Sequence, residues 1–268
     1  MRSSLLFLLT VLTLASGCRS NTRSRLKVLV STNLIATIVQ AVGGERVEVT
    51  PVVPAGICPG HFDLPPSAML AASRARLLIN HGWEQWFPKL TDIANRDAIK
   101  ATTRTQGNWM VPPIHVQAVN EIFELLMQVD PAGAETYAVN RKRYLAQIDT
   151  ATQEVRRLLS DKKSLPAVIS SEKQAPFLRW LGFRVVATYD RAEDITASDL
   201  SRLASIAVDS GVKLFVDNLQ SEPGFGKALA EATGVRHVTL SNFPLQCSYP
   251  EQLLTNVKSL LAALAGEN

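Results

Sequence analysis

The sequence has few cysteines and no long apolar run, and its excess charge is confined to one end. Only three of the 268 residues are cysteine, and a chain of this length buries a sizeable core without disulfide bonds. With 46% hydrophobic and 19% charged residues, the composition is globular and argues against a disordered, collagen-like or coiled-coil chain. The length predicts one large domain or two lobes.

The excess of basic residues belongs to the N-terminus. Residues 1–25 hold four arginines and no acidic residue, so that of the 28 basic residues 24 remain beyond them, equal to the 24 acidic residues of the chain. A body without net charge lacks the basic surface that phosphate backbones require, and we expect no nucleic-acid partner.

Common catalytic motifs are missing as well. The sequence contains no G-x-G-x-x-G, G-x-x-x-x-G-K-[ST], G-x-S-x-G or H-E-x-x-H, and no nucleophile–base pair can be identified. We therefore expect a binding protein and not an enzyme.

The first residues predict export. Arg2 precedes an apolar stretch of 11 residues, 5–15, which is shorter than the roughly 20 residues of a membrane-spanning helix and fits a signal peptide over residues 1–18. Small residues lead into Cys18 in a pattern that resembles a bacterial lipobox. We expect lipidation of Cys18, with an ordinary signal peptide as the alternative. Polar residues 19–25 then form a tether, and the folded protein is anchored outside the cytoplasm, in the periplasm or on the outer face of the cytoplasmic membrane.

Short apolar runs and helical patterns alternate along the rest of the chain. Strands are predicted at 27–31, 47–53, 77–80, 167–170, 185–188, 214–217 and 238–240. Helices are predicted at 33–42, 67–75, 84–94, 116–129, 134–159, 175–181, 199–209, 224–233 and 250–263. This order indicates an α/β protein with two parallel-sheet lobes joined by one long helix. The predicted boundaries are 26–130 for the N-terminal lobe, 131–163 for the linking helix and 164–268 for the C-terminal lobe.

Polar residues follow the predicted strands of both lobes. In open α/β sheets, ligands bind outside the carboxyl ends of the strands. Those ends are Ser31-Thr32-Asn33, the loop 54–66, Asn80-His81, Ser171-Glu172, Asp217-Asn218 and Ser241-Asn242. An exported, tethered, two-lobed protein without a catalytic motif is typical of a solute-binding protein that closes around its cargo.

Several segments, in this order along the chain, resemble the metal-binding (cluster A-I, zinc- and manganese-type) solute-binding proteins of bacterial ABC transporters. They are residues 27–47, the loop 54–67, and residues 130–144, 167–172 and 180–183. The likeness runs from about residue 27 to the C-terminus. It implies a rigid linking helix and a monomer that binds a divalent metal between its lobes. It also implies an ABC permease with its ATPase as partners.

The resemblance also implies the candidate ligands. The first histidine position of the family falls on Gly60, with His61 one residue later, and the second falls on Gly107. Glu172 matches the third position, and Asn242 lies near the fourth, where the family has aspartate. The candidate metal ligands are therefore His61, Glu172, Asn242 and Cys58, and the residues expected around the cleft are Asp217, Asn108 and Trp109.

Cys58, three residues before His61, admits three interpretations. As a thiolate beside His61 and Glu172 it suits zinc in a site with an open fourth position. As half of a disulfide with Cys247 it would tether the two lobes. The third interpretation leaves both cysteines as thiols.

The leading hypothesis is a receptor that delivers zinc or manganese to a permease. One alternative is the same fold binding a chelated metal, a cobalamin-like cofactor or an organic solute. Another is an adhesin or sensory lipoprotein with a vestigial metal site.

Overall fold

The computed structural model describes residues 24–60, 62–161, 164–190, 196–221 and 224–266. The predicted signal peptide, Cys18 and His61 lie outside the described residues. The strands are β1 Leu26–Val30, β2 Val47–Pro51, β3 Leu77–Asn80, β4 Ile99–Thr102, β5 Ala167–Ser171, β6 Arg184–Tyr189, β7 Leu214–Asn218 and β8 Arg236–Leu240. The helices are α1 Asn33–Gly43, α2 Pro66–Arg74, α3 Phe87–Ile93, α4 Pro112–Val129, α5 Ala134–Leu159, α6 Ala175–Leu181, α7 Ala197–Asp209, α8 Phe225–Thr233 and α9 Tyr249–Ala265. None of the helices in this described part is both long and apolar enough to cross a membrane.

The strands form two separate sheets, one in each half of the chain. Their orders are β2-β1-β3-β4 and β6-β5-β7-β8, and every pairing is parallel. This confirms the predicted fold of two parallel-sheet lobes joined by a long helix. The exact domain boundaries stay a prediction. Since both lobes share one strand order, each has a topological switch point between its first and third strands, where ligands of open α/β sheets bind.

The central strands are apolar throughout because both of their faces are covered. In β1, Leu26, Val28 and Val30 face a core that includes α1 and α4, while Leu29 faces α2 and α3 on the other side. In the same way, Val168 of β5 faces α6 and α9, and its neighbours face α7 and α8. This burial on both faces explains why the sequence shows continuous runs there and not alternation.

The long helix α5 packs against α1, α4 and α9. Its buried stripe includes Tyr137, Tyr144, Ile148 and Val155, which belong to one hydrophobic cluster containing residues of both lobes. At 26 residues the helix is about 39 Å long. The inner faces of the two lobes therefore share one continuous core around α5.

The edge strand β4 was not predicted from the sequence. Its residues Ile-Lys-Ala-Thr alternate between half-buried and exposed positions, so it lacks the continuous apolar run that identified the central strands. Two helix starts differ from the predicted ones by three residues or more. Helix α4 begins at Pro112, earlier than the predicted 116, and α3 begins at Phe87, later than the predicted 84. Proline is favoured in the first turn of a helix, where the missing N–H costs nothing, which accounts for the early start of α4.

Candidate metal site between the lobes

The N-terminal side of the cleft is built at the switch point between β1 and β3. Thr32, two residues after the end of β1, caps α1. Its Oγ1 lies 2.9 Å from Nε2 of His81, which directly follows β3. The His81 ring is stacked on Trp83 at 5.3 Å between centroids and meets the edge of Trp109 at 4.6 Å. Burial among these rings lowers the pKa of His81 to about 3, so the imidazole is neutral at physiological pH.

The turn before α4 carries the predicted cleft residues Asn108 and Trp109. Gly107 has φ +94°, a left-handed conformation that favours glycine. Any larger residue at Gly107 would be strained by this φ whatever the space around it, and this includes the histidine that the resemblance implies here. Asn108 Oδ1 accepts a 2.7 Å hydrogen bond from the Met110 amide, and Trp109 Nε1 donates to the Thr105 carbonyl at 3.2 Å. The turn therefore aims Asn108 Nδ2 out of its own lobe.

The C-terminal side of the cleft consists of the loops that follow β5 and β8. Asn108 Nδ2 donates to Lys173 O at 2.6 Å and to Asn242 Oδ1 at 3.1 Å, and Asn242 Nδ2 donates to Lys173 O at 3.1 Å. A second bond between the lobes runs from Asn33 Nδ2 to Pro244 O. The carboxyl ends of the two sheets therefore face each other, and uncharged amides join them.

The loop that contains Cys58 and His61 is held at the same edge of the N-terminal lobe. Trp86 Nε1 donates to the Pro59 carbonyl at 2.7 Å, and the Phe62 ring lies 5.8 Å from that of Trp86. These contacts fix the backbone on both sides of His61, whose own placement lies outside the described residues.

Glu172 lies in the loop after β5, one residue before the carbonyl that contacts Asn242. Glu172 is exposed, and its amide donates to Tyr189 O at 2.9 Å. The carbonyl of the next residue, Lys173, contacts both Asn108 and Asn242. The predicted residues Glu172, Asn242, Asn108 and Trp109 thus lie at the cleft.

Asp217 is engaged within its own lobe. Its carboxylate accepts hydrogen bonds from His237 Nε2 at 2.8 Å, Tyr189 OH at 2.6 Å, and the amides of Gly224 and Gly226 at 3.0 Å each. Burial opposes ionisation of Asp217, but these donors outweigh it and lower its pKa. This arrangement holds the start of α8 against β7.

The two cysteines of the folded part, Cys58 and Cys247, are not joined by a disulfide in the structure. The Cys247 thiol donates to Gln252 Oε1 at 3.6 Å. Their loops lie near each other, since a Cβ added to Gly56 would be 3.9 Å from Leu245 Cδ2. Thiolate ligation by Cys58 stays a prediction.

The described residues include no group of three or more His, Cys, Asp or Glu side chains that could hold a metal ion. What they bring together at the cleft is mainly neutral: the Asn108 and Asn242 amides, the Lys173 carbonyl and the Thr32–His81 pair. Thr32 and His81 were expected near the cleft as residues that follow predicted strands, but neither was given a role of its own. The Lys173 carbonyl had no predicted role, because a backbone carbonyl has no signature in the sequence.

The family described as periplasmic zinc-uptake complex component A matches residues 28–265. The manganese-binding lipoprotein MntA of Halalkalibacterium halodurans is 23% identical over 226 residues, which cover 74% of this chain and 75% of that protein. The iron ABC transporter substrate-binding lipoprotein MtsA of Streptococcus pyogenes is 22% identical over 188 residues, or 59% of each chain.

Solved structures show the same fold. A crystal structure of ZnuA has a TM-score of 0.77 at 19% identity, covering 90% of this chain and 99% of that one. The Mn-bound periplasmic metal binding protein from Candidatus Liberibacter asiaticus has a TM-score of 0.76 at 16% identity, covering 88% of this chain and 98% of that one.

Proposed function

Because the chain belongs to the family of periplasmic zinc-uptake complex component A, we propose that it binds a divalent transition metal, zinc or manganese, for an ABC transporter. The observation that carries this proposal is the family match over residues 28–265, which includes both sheets and both sides of the cleft. The protein would act as a monomer and deliver its cargo to the permease, which the ATPase drives. Binding and release involve no covalent chemistry.

We propose that the metal lies between the loop 58–62 of the N-terminal lobe and residues 172–173 and 242 of the C-terminal lobe. The candidate donors are His61, Cys58, Glu172 and Asn242. Support comes from the contact of Lys173 with Asn242, which brings the Glu172 backbone to the cleft, and from Trp86, which anchors the backbone beside His61. Imidazole, thiolate and carboxylate are ligands of zinc, and oxygen donors suit manganese.

Calorimetric titration of the metal-stripped chain, starting at residue 19, with Zn²⁺ and Mn²⁺ tests this function. We expect one ion per chain with a Kd below about 1 μM. The affinity should rise with pH, because metal binding displaces protons from its ligands. His61→Ala and Glu172→Ala should each weaken binding at least about tenfold, while Glu231→Ala, which removes an exposed glutamate on α8, should leave the affinity unchanged. Absence of binding by either ion would overturn the proposal.

A second cargo class is favoured by one observation. The cleft is bridged by the neutral amides of Asn108 and Asn242, and the described residues offer no cluster of charged metal ligands. A chelated metal or a small organic solute, recognised by hydrogen bonds, fits such a surface. Native mass spectrometry of the protein purified from its own cells distinguishes the two, because an organic adduct would replace a bare metal ion.

For localisation, we propose an extracytoplasmic protein anchored by lipid at Cys18. In the full chain, Cys18→Ala should then move the protein from the membrane fraction to the soluble fraction. An unchanged fractionation pattern would argue against the anchor.

A further inference from the structure

The loop between β8 and α9, residues 241–248, reaches across to the N-terminal lobe in three places. Asn242 Oδ1 accepts a hydrogen bond from Asn108 Nδ2 at 3.1 Å. The Pro244 carbonyl accepts one from Asn33. The Leu245 side chain faces Gly56, where an added Cβ would lie 3.9 Å from Leu245 Cδ2. The N-terminal partners are spread over three separate segments of the lobe.

Asn108 and Asn242 also meet at a common acceptor. Both side chains donate to Lys173 O, at 2.6 and 3.1 Å. Every donor in this triangle is an amide and every acceptor a neutral oxygen. Two charged ligand sets would repel each other in an empty cleft, whereas neutral amides attract each other without an ion.

A buried polar network supports the start of the 241–248 loop. Gln220 Oε1 accepts a hydrogen bond from the backbone N–H of Asn242 at 3.0 Å, and Gln220 Nε2 donates to Ser241 Oγ at 2.8 Å. Asn256 donates to Ser241 O at 2.8 Å and accepts from Gln252 at 3.0 Å. Gln220, Gln252 and Asn256 are all buried, and satisfied buried networks hold a loop in one conformation.

From these contacts we propose that Asn108, Asn242 and the Lys173 carbonyl form an uncharged interlobe clasp that holds the lobes together in the cargo-free protein. The lobes share a continuous core around α5, so the clasp lies where they can still separate. Asn108 and Asn242 are half-buried, so water can replace these bonds when the cleft opens. Each bond changes the ratio of closed to open protein about fivefold, which leaves the clasp easy to release.

The distance between the lobes, measured by pulsed EPR on metal-free protein, tests the clasp. Spin labels go on the exposed sites Lys89→Cys in α3 and Ser205→Cys in α7, in the chain starting at residue 19 with Cys58→Ser and Cys247→Ser. We expect one narrow distance in this parent. Asn108→Ala removes two of the three bonds, and Asn242→Ala also removes two, so each should add a longer, broader population. In each variant the ratio of closed to open protein should fall by roughly 25-fold, because two bonds are lost.

Asn120→Ala is the matched control. Asn120 of α4 accepts a 2.8 Å hydrogen bond from Arg141 Nε of the linking helix α5. This bond does not involve the C-terminal lobe, so its loss should leave the distance unchanged. Circular dichroism checks that each variant is folded. A broad distribution of spin-label distances in the parent would overturn the proposal. So would a distribution in the Asn108→Ala/Asn242→Ala double variant that is the same as in the parent. Since no metal is present, these outcomes are independent of the proposed function, which the calorimetry tests.

Discussion

The imidazole of His115 lies fully buried between α4, α5 and α9. Its ring is stacked on Tyr249 at 3.5 Å between centroids. Nδ1 lies 3.2 Å from the Trp109 carbonyl and Nε2 3.0 Å from Tyr144 OH. A carbonyl only accepts, so Nδ1 carries the proton and Nε2 accepts from the tyrosine. The neutral ring is satisfied, and burial lowers the pKa of His115 to about 3.

Acid should therefore destabilise the protein before its carboxylates are protonated. In the unfolded chain His115 binds a proton below about pH 6.5, while in the folded chain it does so only near pH 3. The stability that neutral His115 provides is thus complete above pH 6.5 and is lost as the pH falls toward 3. Each such histidine lowers the free energy of unfolding by about 1.4 kcal/mol per pH unit in this window, and His81 adds a second contribution.

Urea unfolding at pH 7.5, 6.0 and 5.0 measures this slope. His115→Phe should reduce the slope by about one histidine's share, although it also lowers stability at neutral pH by leaving Tyr144 OH unpaired. Tyr144→Phe, which keeps the imidazole, should retain the full slope. Equal slopes for the parent and His115→Phe would show that this ring is not the group that titrates.

At the residue scale, the sequence predicts which residues lie near the cleft better than it predicts their hydrogen-bond partners. Asn108, Trp109 and Asn242 were located from motif positions. The hydrogen bond of Thr32 to His81 joins residues 49 positions apart and depends on β1 pairing with β3. That pairing is set by the strand order, which periodicity along one chain does not reveal.

Among the elements, the long helix and the central strands follow directly from the sequence. The predicted limits 134–159 of α5 coincide with the observed ones. This stretch contains no Gly or Pro, and one apolar stripe runs along its whole length. The edge strand β4 was missed because half of its surface faces water. A strand that is buried on only one face has a weaker apolar pattern in the sequence than a strand that is buried on both faces.

The C-terminal helix α9 connects its lobe to the segment that carries Asn108. Tyr249, its first residue, is fully buried and donates to the Met110 carbonyl at 3.0 Å. Tyr249→Phe leaves this carbonyl without its partner and should lower the free energy of unfolding by about 1–2 kcal/mol. Amide hydrogen exchange should also become faster in residues 107–115, since the turn loses its tie to α9.

Tyr189→Phe is the control for Tyr249→Phe. It removes another buried hydroxyl, bonded to Asp217 and to Val216 O within the C-terminal lobe. We expect it to lower stability to a similar degree and to leave exchange in residues 107–115 as it is. If both variants speed up amide exchange in residues 107–115 equally, then the bond from Tyr249 to the Met110 carbonyl is not what holds this segment.

At the scale of the whole molecule, the fold follows from the sequence and the chemistry of the cleft does not. The alternation of elements, together with one long helix, specifies two lobes whose sheets open toward each other. Whether polar residues at those ends bind an ion or one another depends on how the lobes meet. Asn108 and Asn242 lie 134 positions apart, and only the packed lobes show that their amides are bonded.

Asn242→Asp separates the role of the cleft in metal binding from its role in lobe closure. An aspartate can still accept from Asn108, but it no longer donates to Lys173 O and faces that carbonyl with a charged oxygen. In the metal-free protein we expect weaker closure, seen as a longer distance between the spin labels. With metal, the added carboxylate is a charged donor near Glu172, and we expect the affinity for Zn²⁺ or Mn²⁺ to rise about tenfold or more.

Calorimetry on Asn242→Asp with both native cysteines, and the spin-label distance on Asn242→Asp in the Cys58→Ser/Cys247→Ser background, give the two answers independently. Asn120→Asp adds the same charge beside Arg141 on the N-terminal lobe and should change neither quantity. A gain in affinity with a longer metal-free distance supports both a metal cargo and an amide clasp. A longer distance without a gain in affinity would keep the clasp but argue against metal at residue 242, because a carboxylate there would have no ion to bind and would only repel the facing lobe.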